Sequence, residues 1–396
     1  MTARVLIAGG GLGGLTLAQG LLKSGTEVEV FGRDDGFGSA APRRPLGIGH
    51  LGQAALAVAL PAELYDACQA TRNRLHPTEP AAFDHQLQAL PSWSDDFLDG
   101  GPFRPHLVAD RDVLKEILQV GLGDRFRPEL TVRGFSEYPG YVRIDLSNGT
   151  KSAGDALVVA DDFGSPASAL LSPGRQPLPT LLMAIRGERP LVDAAVTDLN
   201  PAIWRDPRPI FGPPGCVLIL EAFAAATAPD TLGFARAPGT RLSPVPDYLA
   251  WTLVMPTELL AGLTTAASRS ELLAAALSLT EGWHGALRAL MADSATITAD
   301  PLPAPDPELP RPLRRVTALT DATRALSLTG RRMAGAVLHD AGLLTSLLAS
   351  VAVGRDELSS ALSLHMRHLR SRNRQALAGG YLQLEQLLFH SPHAEA

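Results

Sequence analysis

Residues 9–14 read Gly-Gly-Gly-Leu-Gly-Gly and contain the spacing G-x-G-x-x-G. In this pattern the first glycine makes a tight turn, the second lets the backbone approach a pyrophosphate, and the third lets a helix pack closely on a strand. Here those positions are Gly9, Gly11 and Gly14. A helix that begins at the loop directs free N–H groups and the positive end of its dipole at the phosphates. The pattern therefore predicts a dinucleotide site.

The segments on both sides of the loop have the pattern needed to position it. Residues 4–8 are an apolar run typical of a buried strand, and residues 12–24 carry leucines at helical spacing. Residues 27–31 alternate as a second strand. Strand, loop, helix and strand within so short a stretch form a βαβ unit, so we expect the two strands to be parallel neighbours.

The end of the second strand departs from the usual pattern. An acidic residue normally stands there and accepts hydrogen bonds from the adenosine ribose. In this chain the position is Gly32, and Asp34 and Asp35 lie beyond the strand. We therefore expect one ribose contact to be missing.

The pattern of the remaining chain changes near residue 176. Before it, helices are predicted over 50–71 and 112–122, and strands over 141–146 and 156–160. After it come short β-type runs broken by prolines, which indicate an antiparallel sheet in a second domain. These runs cover residues 180–186, 216–220, 232–235 and 249–255.

The last third of the chain combines helices with a proline-rich connector. Six prolines between residues 301 and 312 predict a stiff extended segment. Helices are predicted over 268–292, 334–353 and 355–378.

Composition excludes several classes of function. The 396 residues have a net charge of −6, with Lys and Arg scattered, which argues against a nucleic-acid partner. Cys68 and Cys216 are too few for a disulfide framework, no Cys/His cluster predicts a metal site, and a reducing, cytoplasmic compartment is expected. No apolar run is long enough to predict a membrane span. We expect a monomer or homodimer.

Further motifs occur in the order found in one family. They are Arg33 after the second strand, residues 45–49 (Pro-Leu-Gly-Ile-Gly), residues 111–114 (Arg-Asp-Val-Leu), residues 154–161 ending in Ala-Asp, residues 248–251 (Tyr-Leu-Ala-Trp), and residues 316–324 with Asp321 at their centre. With the glycine loop they make the chain resemble FAD-dependent monooxygenases of the para-hydroxybenzoate hydroxylase type over nearly its whole length. The resemblance implies contacts with FAD from Gly9, Gly11, Gly14, Arg33, Arg111 and Asp321.

The resemblance also implies a fold. That fold is α/β (α+β): a three-layer Rossmann-like domain that binds FAD or NAD(P), an inserted antiparallel-sheet domain for the substrate, and C-terminal helices. The implied boundaries are 1–75, 105–175 and 313–355 for the Rossmann-like domain, 76–104 and 176–300 for the sheet domain, 301–312 for the connector, and 356–396 for the C-terminal helices.

Several positions depart from the family pattern around the flavin ring. Glycine is replaced by Asp162 and Thr320, and Arg331 and Met333 stand in a loop that is normally rich in glycine. A side chain in that loop would collide with the ring or restrict the backbone. We therefore expect FAD to bind weakly or not at all.

Three functions remain open at this stage. The first, slightly favoured, is an enzyme of polyketide or antibiotic biosynthesis that catalyses a non-redox cyclisation, such as a (4+2) cycloaddition, on an apolar substrate, with FAD absent or only structural. Such a reaction needs a shaped cavity that holds a reactive conformer. The second is a hydroxylase or epoxidase that uses FAD and NAD(P)H. The third is a non-catalytic accessory or ligand-binding protein.

No residue is predicted to be catalytic, although some side chains could face a cavity. Those with acid or base chemistry are His50, Asp110, Glu221 and Arg324, and those that could line an apolar pocket are Phe211, Phe223, Trp251 and Met255.

Overall fold

The computed structural model describes most of the chain in twelve segments. They are residues 3–32, 41–75, 82–90, 107–161, 165–171, 182–191, 199–204, 208–213, 215–260, 267–302, 313–319 and 331–372.

Strands of the described chain form two large and two small sheets. The strands are β1 (Arg4–Ala8), β2 (Glu27–Phe31), β3 (Pro45–Ile48), β4 (Ala82–Asp84), β5 (Ala89–Leu90), β6 (Leu107–Asp110), β7 (Phe126–Arg127), β8 (Val132–Glu137), β9 (Val142–Leu146), β10 (Lys151–Gly154), β11 (Ala156–Val159), β12 (Leu182–Pro190), β13 (Arg208–Gly212), β14 (Cys216–Phe223), β15 (Tyr248–Pro256), β16 (Thr296–Pro301) and β17 (Val316–Ala318).

Helices pack on the first large sheet and on one face of the second. They are α1 (Leu12–Lys23), α2 (His50–Ala59), α3 (Ala62–Ala70), α4 (Arg111–Gln119), α5 (Pro166–Leu171), α6 (Arg269–Leu279), α7 (Gly285–Ala292), α8 (Arg331–Ala352) and α9 (358–372).

The first large sheet is parallel and has the order β17-β11-β1-β2-β7. Its central strands β1 and β11 are short apolar runs because both faces of a parallel sheet are covered. The predicted βαβ unit is present, since β1 and β2 pair in parallel from Arg4 with Glu27 to Ala8 with Phe31. Helix α8 packs against α1 and α2.

Glycines allow these helices to approach closely. A Cβ on Gly52 would lie 2.9 Å from the Cα of Gly335, and one on Gly342 would lie 2.7 Å from the Cβ of Ala55. Such distances are shorter than real Cβ contacts, so Gly52 and Gly342 set the spacing between α2 and α8.

The second large sheet has the order β16-β12-β15-β14-β13-β4-β5. It is antiparallel except where β4 pairs with β13 in parallel. One face packs against α6 and α7 in an apolar core that contains Trp251, Met255 and Trp283. Because side chains alternate along a strand, the other face carries a different set of residues.

Several elements differ from the sequence prediction. The predicted helix 50–71 is two helices, because Leu60 adopts an extended conformation before Pro61. The predicted helix 268–292 is also two, with Gly282 at a φ of +81° in the turn. The predicted connector lies almost wholly outside the described residues, and its first residue, Pro301, ends β16.

The predicted strand 232–235 is wrong. These residues form turns in the long connection between β14 and β15, and Phe234 packs into the core of the parallel-sheet domain. Farther along the same connection, Ser243 donates its backbone N–H (2.7 Å) and its hydroxyl (2.7 Å) to the carboxylate of Glu116 on α4. The apolar residues that suggested a strand therefore connect the second sheet to the core around the first sheet.

One described helix, Ala334–Ala352, is long and apolar enough to cross a membrane by length and composition alone. Leu338, Ala341, Leu344 and Leu348 on this helix belong to the core of the parallel-sheet domain. Its hydropathy therefore reflects burial against other helices of this chain.

Candidate functional site

Four parallel strands bring their carboxyl ends to one edge of the first sheet. Short backbone hydrogen bonds join the residues just beyond the strands: Gly9 N–H to Phe31 O (2.6 Å), Ala160 N–H to Ala8 O (2.6 Å) and Leu319 N–H to Val159 O (2.7 Å). In open α/β sheets, ligands bind at this edge, where the connections leave in opposite directions. The glycine loop follows β1 at this point.

The three glycines of the motif meet different surroundings. Gly9 has a φ of +133°, and a Cβ there would collide with the backbone of Ala160. A Cβ on Gly14 would collide with the carbonyl oxygen of Gly9, whereas one on Gly11 would meet nothing within 4 Å. Gly9 and Gly14 therefore serve the turn and the packing of α1, and Gly11 faces open space.

The N-terminus of α1 suits an anion. Gly11 is its N-cap and has no side chain to accept hydrogen bonds from the first turn. No acidic residue stands in that turn. Because the first N–H groups of a helix lack partners within the helix, they remain available to a phosphate. The described residues thus fit the pyrophosphate of a dinucleotide.

At Gly32, where a carboxylate would normally bind the ribose, there is no room for a side chain. A Cβ on Gly32 would lie closer than 3.0 Å to the backbone N of Gly10. No side chain fits there while the loop keeps this conformation. The glycine is thus a packing requirement between the loop and the end of β2.

The other predicted cofactor contacts are only partly described. Arg33 and Asp321 lie outside the described residues, as does the segment 320–330. The predicted glycine-rich loop is helical from Arg331, the first residue of α8. Within this helix Gly335 lies against Gly52, as the packing of α2 requires.

Arg111 begins α4 at the junction of the two domains. Its guanidinium pairs with Asp112 at 3.3 Å, and its N–H donates to Arg44 O at 3.3 Å. The preceding residue, Asp110, caps the helix by accepting from the N–H groups of Asp112 and Val113, both at 3.0 Å. Arg111 is therefore held at a defined place by the cap before it.

Asp110 also joins the two domains through Tyr248 of β15. The Tyr248 hydroxyl donates to Oδ2 of Asp110 at 2.8 Å, and both residues are buried. Burial raises the pKa of Asp110, while the hydrogen bonds from Val113 and Tyr248 oppose the shift. Because both carboxylate oxygens hold structural hydrogen bonds, Asp110 serves the architecture and is a poor general base.

The remaining acid–base candidates are dispersed. His50 is exposed at the start of α2, and Arg324 lies outside the described residues. Glu221 is buried on β14. The structure therefore brings no general acid and base together among the residues that it describes.

Of the four residues that could equally line a pocket or belong to the core, two lie in the core beside helices. Trp251 and Met255 point toward α6 and α7, and Trp251 Nε1 donates to Ser294 Oγ at 2.7 Å. Phe211 and Phe223 lie on the opposite face. Residues two apart along a strand share a face of the sheet. Assigning these side chains to the pocket or the core therefore required knowing which face of the sheet the helices cover.

The face opposite α6 and α7 combines apolar ends with a polar centre. Strand register places six polar residues there in two neighbouring rows, which we call the polar belt: Arg186, Glu188, Glu221, Thr252, Thr296 and Thr298. Glu188 accepts the backbone N–H of Arg43 at 2.6 Å, just before β3. This face therefore looks toward the parallel-sheet domain.

Arg186 is the most unusual member of the belt, because it is a buried cation. Its Nη1 lies 2.5 Å from Oδ2 of Asp300, whose side chain is half exposed. Burial lowers the pKa of Arg186, and the carboxylates of Asp300 and Glu221 oppose that shift. Arg186 was not among the residues singled out from the sequence, although a charge inside the apolar run 182–186 is typical of a buried group with a partner.

Comparison with known proteins finds sequence relatives that are named as FAD-dependent monooxygenases, alone or joined to an O-methyltransferase. The dual O-methyltransferase/FAD-dependent monooxygenase elcB of Phaeosphaeria nodorum is 29% identical over 392 residues, covering 89% of this chain and 41% of that protein. The FAD-dependent monooxygenase thnD of Trichoderma harzianum is 30% identical over 164 residues, or 41% of this chain and 38% of that protein. This chain spans less than half the length of these relatives. No family model matches the chain.

Solved structures share the fold over almost the entire chain. A putative FAD-containing monooxygenase from Photorhabdus luminescens has a TM-score of 0.82 at 24% identity, covering 98% of this chain and 99% of that chain. CtdE in complex with FAD and a substrate has a TM-score of 0.74 at 15% identity, covering 100% of this chain and 92% of that chain. The fold class and the resemblance predicted from the sequence are confirmed.

Proposed function

We propose that this chain, which has the fold of the FAD-dependent monooxygenases and fungal sequence relatives among them, binds FAD and oxygenates an apolar small molecule. The observation that carries the proposal is the open space at Gly11, before an uncapped helix at the carboxyl edge of a parallel sheet. Relatives and fold neighbours named as FAD-dependent monooxygenases support it.

FAD is the cofactor that these comparisons favour, contrary to the sequence-based expectation of weak or absent binding. Gly11 and the first turn of α1 would hold its pyrophosphate, and Gly9 and Gly14 shape the loop that does so. Arg33, Arg111 and Asp321 remain predicted contacts. The chemistry that FAD would supply there, with NAD(P)H as reductant, is activation of dioxygen, so that one atom of O2 enters the substrate and the other leaves as water.

The residues of this chain would bind the substrate and exclude water. The belt-bearing face of the second sheet presents Ile219 and Val254 on one side of its polar residues and Phe223 on the other. Contacts between the domains, from Tyr248 to Asp110 and from Arg43 to Glu188, hold this face opposite the first domain. An apolar ring would be positioned between them, where bulk water is displaced.

A non-redox cyclisation is the second candidate, and one observation favours it. The position of the ribose carboxylate is filled by the approach of Gly10 to Gly32, so the site offers the adenosine one contact fewer than usual. A scaffold that no longer reduces flavin would tolerate that loss. In this case FAD would be absent or structural, and the sheet face alone would hold the reactive conformer.

The visible spectrum of the purified protein, followed by titration with FAD, tests the proposal. We expect a yellow protein whose flavin is bleached by NADPH or NADH and reoxidised by air. Bound flavin that neither nicotinamide reduces would favour the cyclase. A colourless protein that shows no quenching of FAD fluorescence would refute a flavin enzyme of either kind and leave a cofactor-free cyclase or a ligand-binding protein.

A further inference from the structure

A buried hydrogen bond joins the second sheet to helix α4. Tyr248, the first residue of β15, donates its hydroxyl to Oδ2 of Asp110 at 2.8 Å, and the two residues are 2% and 1% exposed. The other carboxylate oxygen of Asp110 accepts the backbone N–H groups of Asp112 and Val113, both at 3.0 Å, and so caps α4. The Asp110 carboxylate therefore ties the start of β15 to the first turn of α4.

The other end of α4 is held by the helix that follows the glycine loop. The buried side chain of Gln19 on α1 donates through Nε2 to Leu118 O at 2.8 Å and to Val120 O at 2.9 Å. Helix α4 has nine residues and is about 13 Å long. Its orientation relative to α1 therefore depends on Gln19 at its C-terminal end and on the Tyr248 hydrogen bond at its N-terminal end.

Arg111, the first residue of α4, lies where folding alone does not favour a cation. The positive end of the helix dipole opposes a positive charge in the first turn. Its side chain is 37% exposed, and its guanidinium pairs with the carboxylate of the next residue, Asp112, at 3.3 Å. A pair of this kind at the surface contributes little to stability. A bound anion would offset the unfavourable charge, so the position of Arg111 suits contact with an anionic ligand.

We infer that Tyr248 is a positioning residue for cofactor binding: acting through Asp110, it fixes the first turn of α4 and thereby the place of Arg111, a predicted FAD contact. An arginine binds a phosphate best through two parallel N–H donors, so a small displacement of the helix end weakens the contact. Without the Tyr248 hydroxyl, Oδ2 of Asp110 would be a buried acceptor that has lost its donor, and the cap would rearrange. The inference rests on the proposed function in taking FAD as the ligand.

A double-mutant cycle on FAD affinity, measured by quenching of flavin fluorescence, tests the inference. Tyr248→Phe should weaken FAD binding about tenfold, the size expected for one hydrogen bond to a charged group. In an Arg111→Ala protein the same change should alter the affinity less than about twofold, because no guanidinium is left to position. Asp110→Ser, which keeps a preferred N-cap residue but is too short to reach Tyr248, should behave as Tyr248→Phe does.

Trp251→Phe is the matched control, because it also removes a buried hydrogen bond from β15. Trp251 Nε1 donates to Ser294 Oγ at 2.7 Å. This variant should lower the urea midpoint of unfolding yet leave FAD affinity within about twofold of the wild type. Equal losses of FAD affinity in Trp251→Phe and Tyr248→Phe would show that general destabilisation is the cause, and would overturn the inference.

The outcomes separate the inference from the proposed function. Unchanged FAD affinity in Tyr248→Phe, or a loss just as large in the Arg111→Ala background, would overturn the inference and leave a flavin-binding protein. A wild-type protein that binds no FAD would refute both. If Tyr248→Phe does not fold, Asp110→Ser takes its place in the cycle. Arg111→Lys, which keeps the charge without the planar fork, replaces Arg111→Ala if that protein binds FAD too weakly to measure.

Discussion

Gly11→Asp is expected to separate FAD binding from folding. Gly11 is the N-cap of α1, with extended backbone angles (φ −80°, ψ −179°) and no atom within 4 Å of the place where a Cβ would lie. Aspartate is among the preferred N-cap residues, because its carboxylate accepts hydrogen bonds from the first turn. The substitution should therefore leave the unfolding free energy unchanged or raise it by a few tenths of a kcal/mol.

The same carboxylate would oppose a pyrophosphate. One unit charge about 5 Å from another at an effective dielectric of about 20 costs about 3 kcal/mol. Since 1.4 kcal/mol corresponds to tenfold, FAD affinity should fall at least about 100-fold. The aspartate would also take the N–H groups that the phosphates need.

Fluorescence quenching of FAD measures the affinity, and urea unfolding measures the stability. Gly285→Asp is the matched control, because Gly285 also lies at a helix N-terminus with open space at its Cβ position, in α7 on the second sheet. It should leave FAD affinity unchanged. If Gly11→Asp binds FAD as tightly as the wild type, the pyrophosphate does not lie at this loop and the argument from open space is refuted.

Two further predictions concern stability. His365 is buried with a pKa lowered to about 4, chiefly by burial, so its imidazole is uncharged in the folded protein at neutral pH. The free energy of unfolding should therefore decrease as the pH falls from 6.5 toward 4. Urea unfolding should show a loss of up to about 3 kcal/mol over that range, and His365→Asn should flatten the slope, whereas an unchanged slope would contradict the assignment. Gly52→Ala should destabilise the protein by about 1–3 kcal/mol, because its Cβ would meet Gly335. Thermal melting measures this loss, and Gly140→Ala is the control because a Cβ there would meet nothing within 4 Å. Equal melting temperatures for Gly52→Ala and the wild type would exclude the close approach of α2 and α8.

The glycine loop is the part of the site that the sequence predicts best. Its structure depends on residues close by in the sequence: the strand before it, the helix after it and the positive φ of Gly9 all follow from neighbouring residues. Gly32 was identified from the sequence as the place of a missing carboxylate. The reason for it, the approach of the Gly10 backbone, required the structure because the two residues lie on different strand ends.

The sheet face shows where prediction from sequence ends. Alternation along 248–256 separates two sets of residues but does not say which set the helices cover. The sequence therefore left pocket and core equally open for Trp251 and Met255, which lie in the core. Arg186 pairs with Asp300, which is 114 residues away along the chain. Such a pair depends on the order of strands in the sheet, which local patterns do not encode.

The sequence alone determined the βαβ opening, the dinucleotide loop and the resemblance to flavin monooxygenases, because these depend on residues close together along the chain. Tertiary structure decided which face of the second sheet α6 and α7 cover, that the connection between β14 and β15 packs against the core of the first sheet, and that a buried arginine on the opposite face pairs with Asp300. These features arise from packing between distant segments. Burial and charge pairing there depend on the whole fold, because each group is stabilised or excluded by neighbours that only the folded chain brings near.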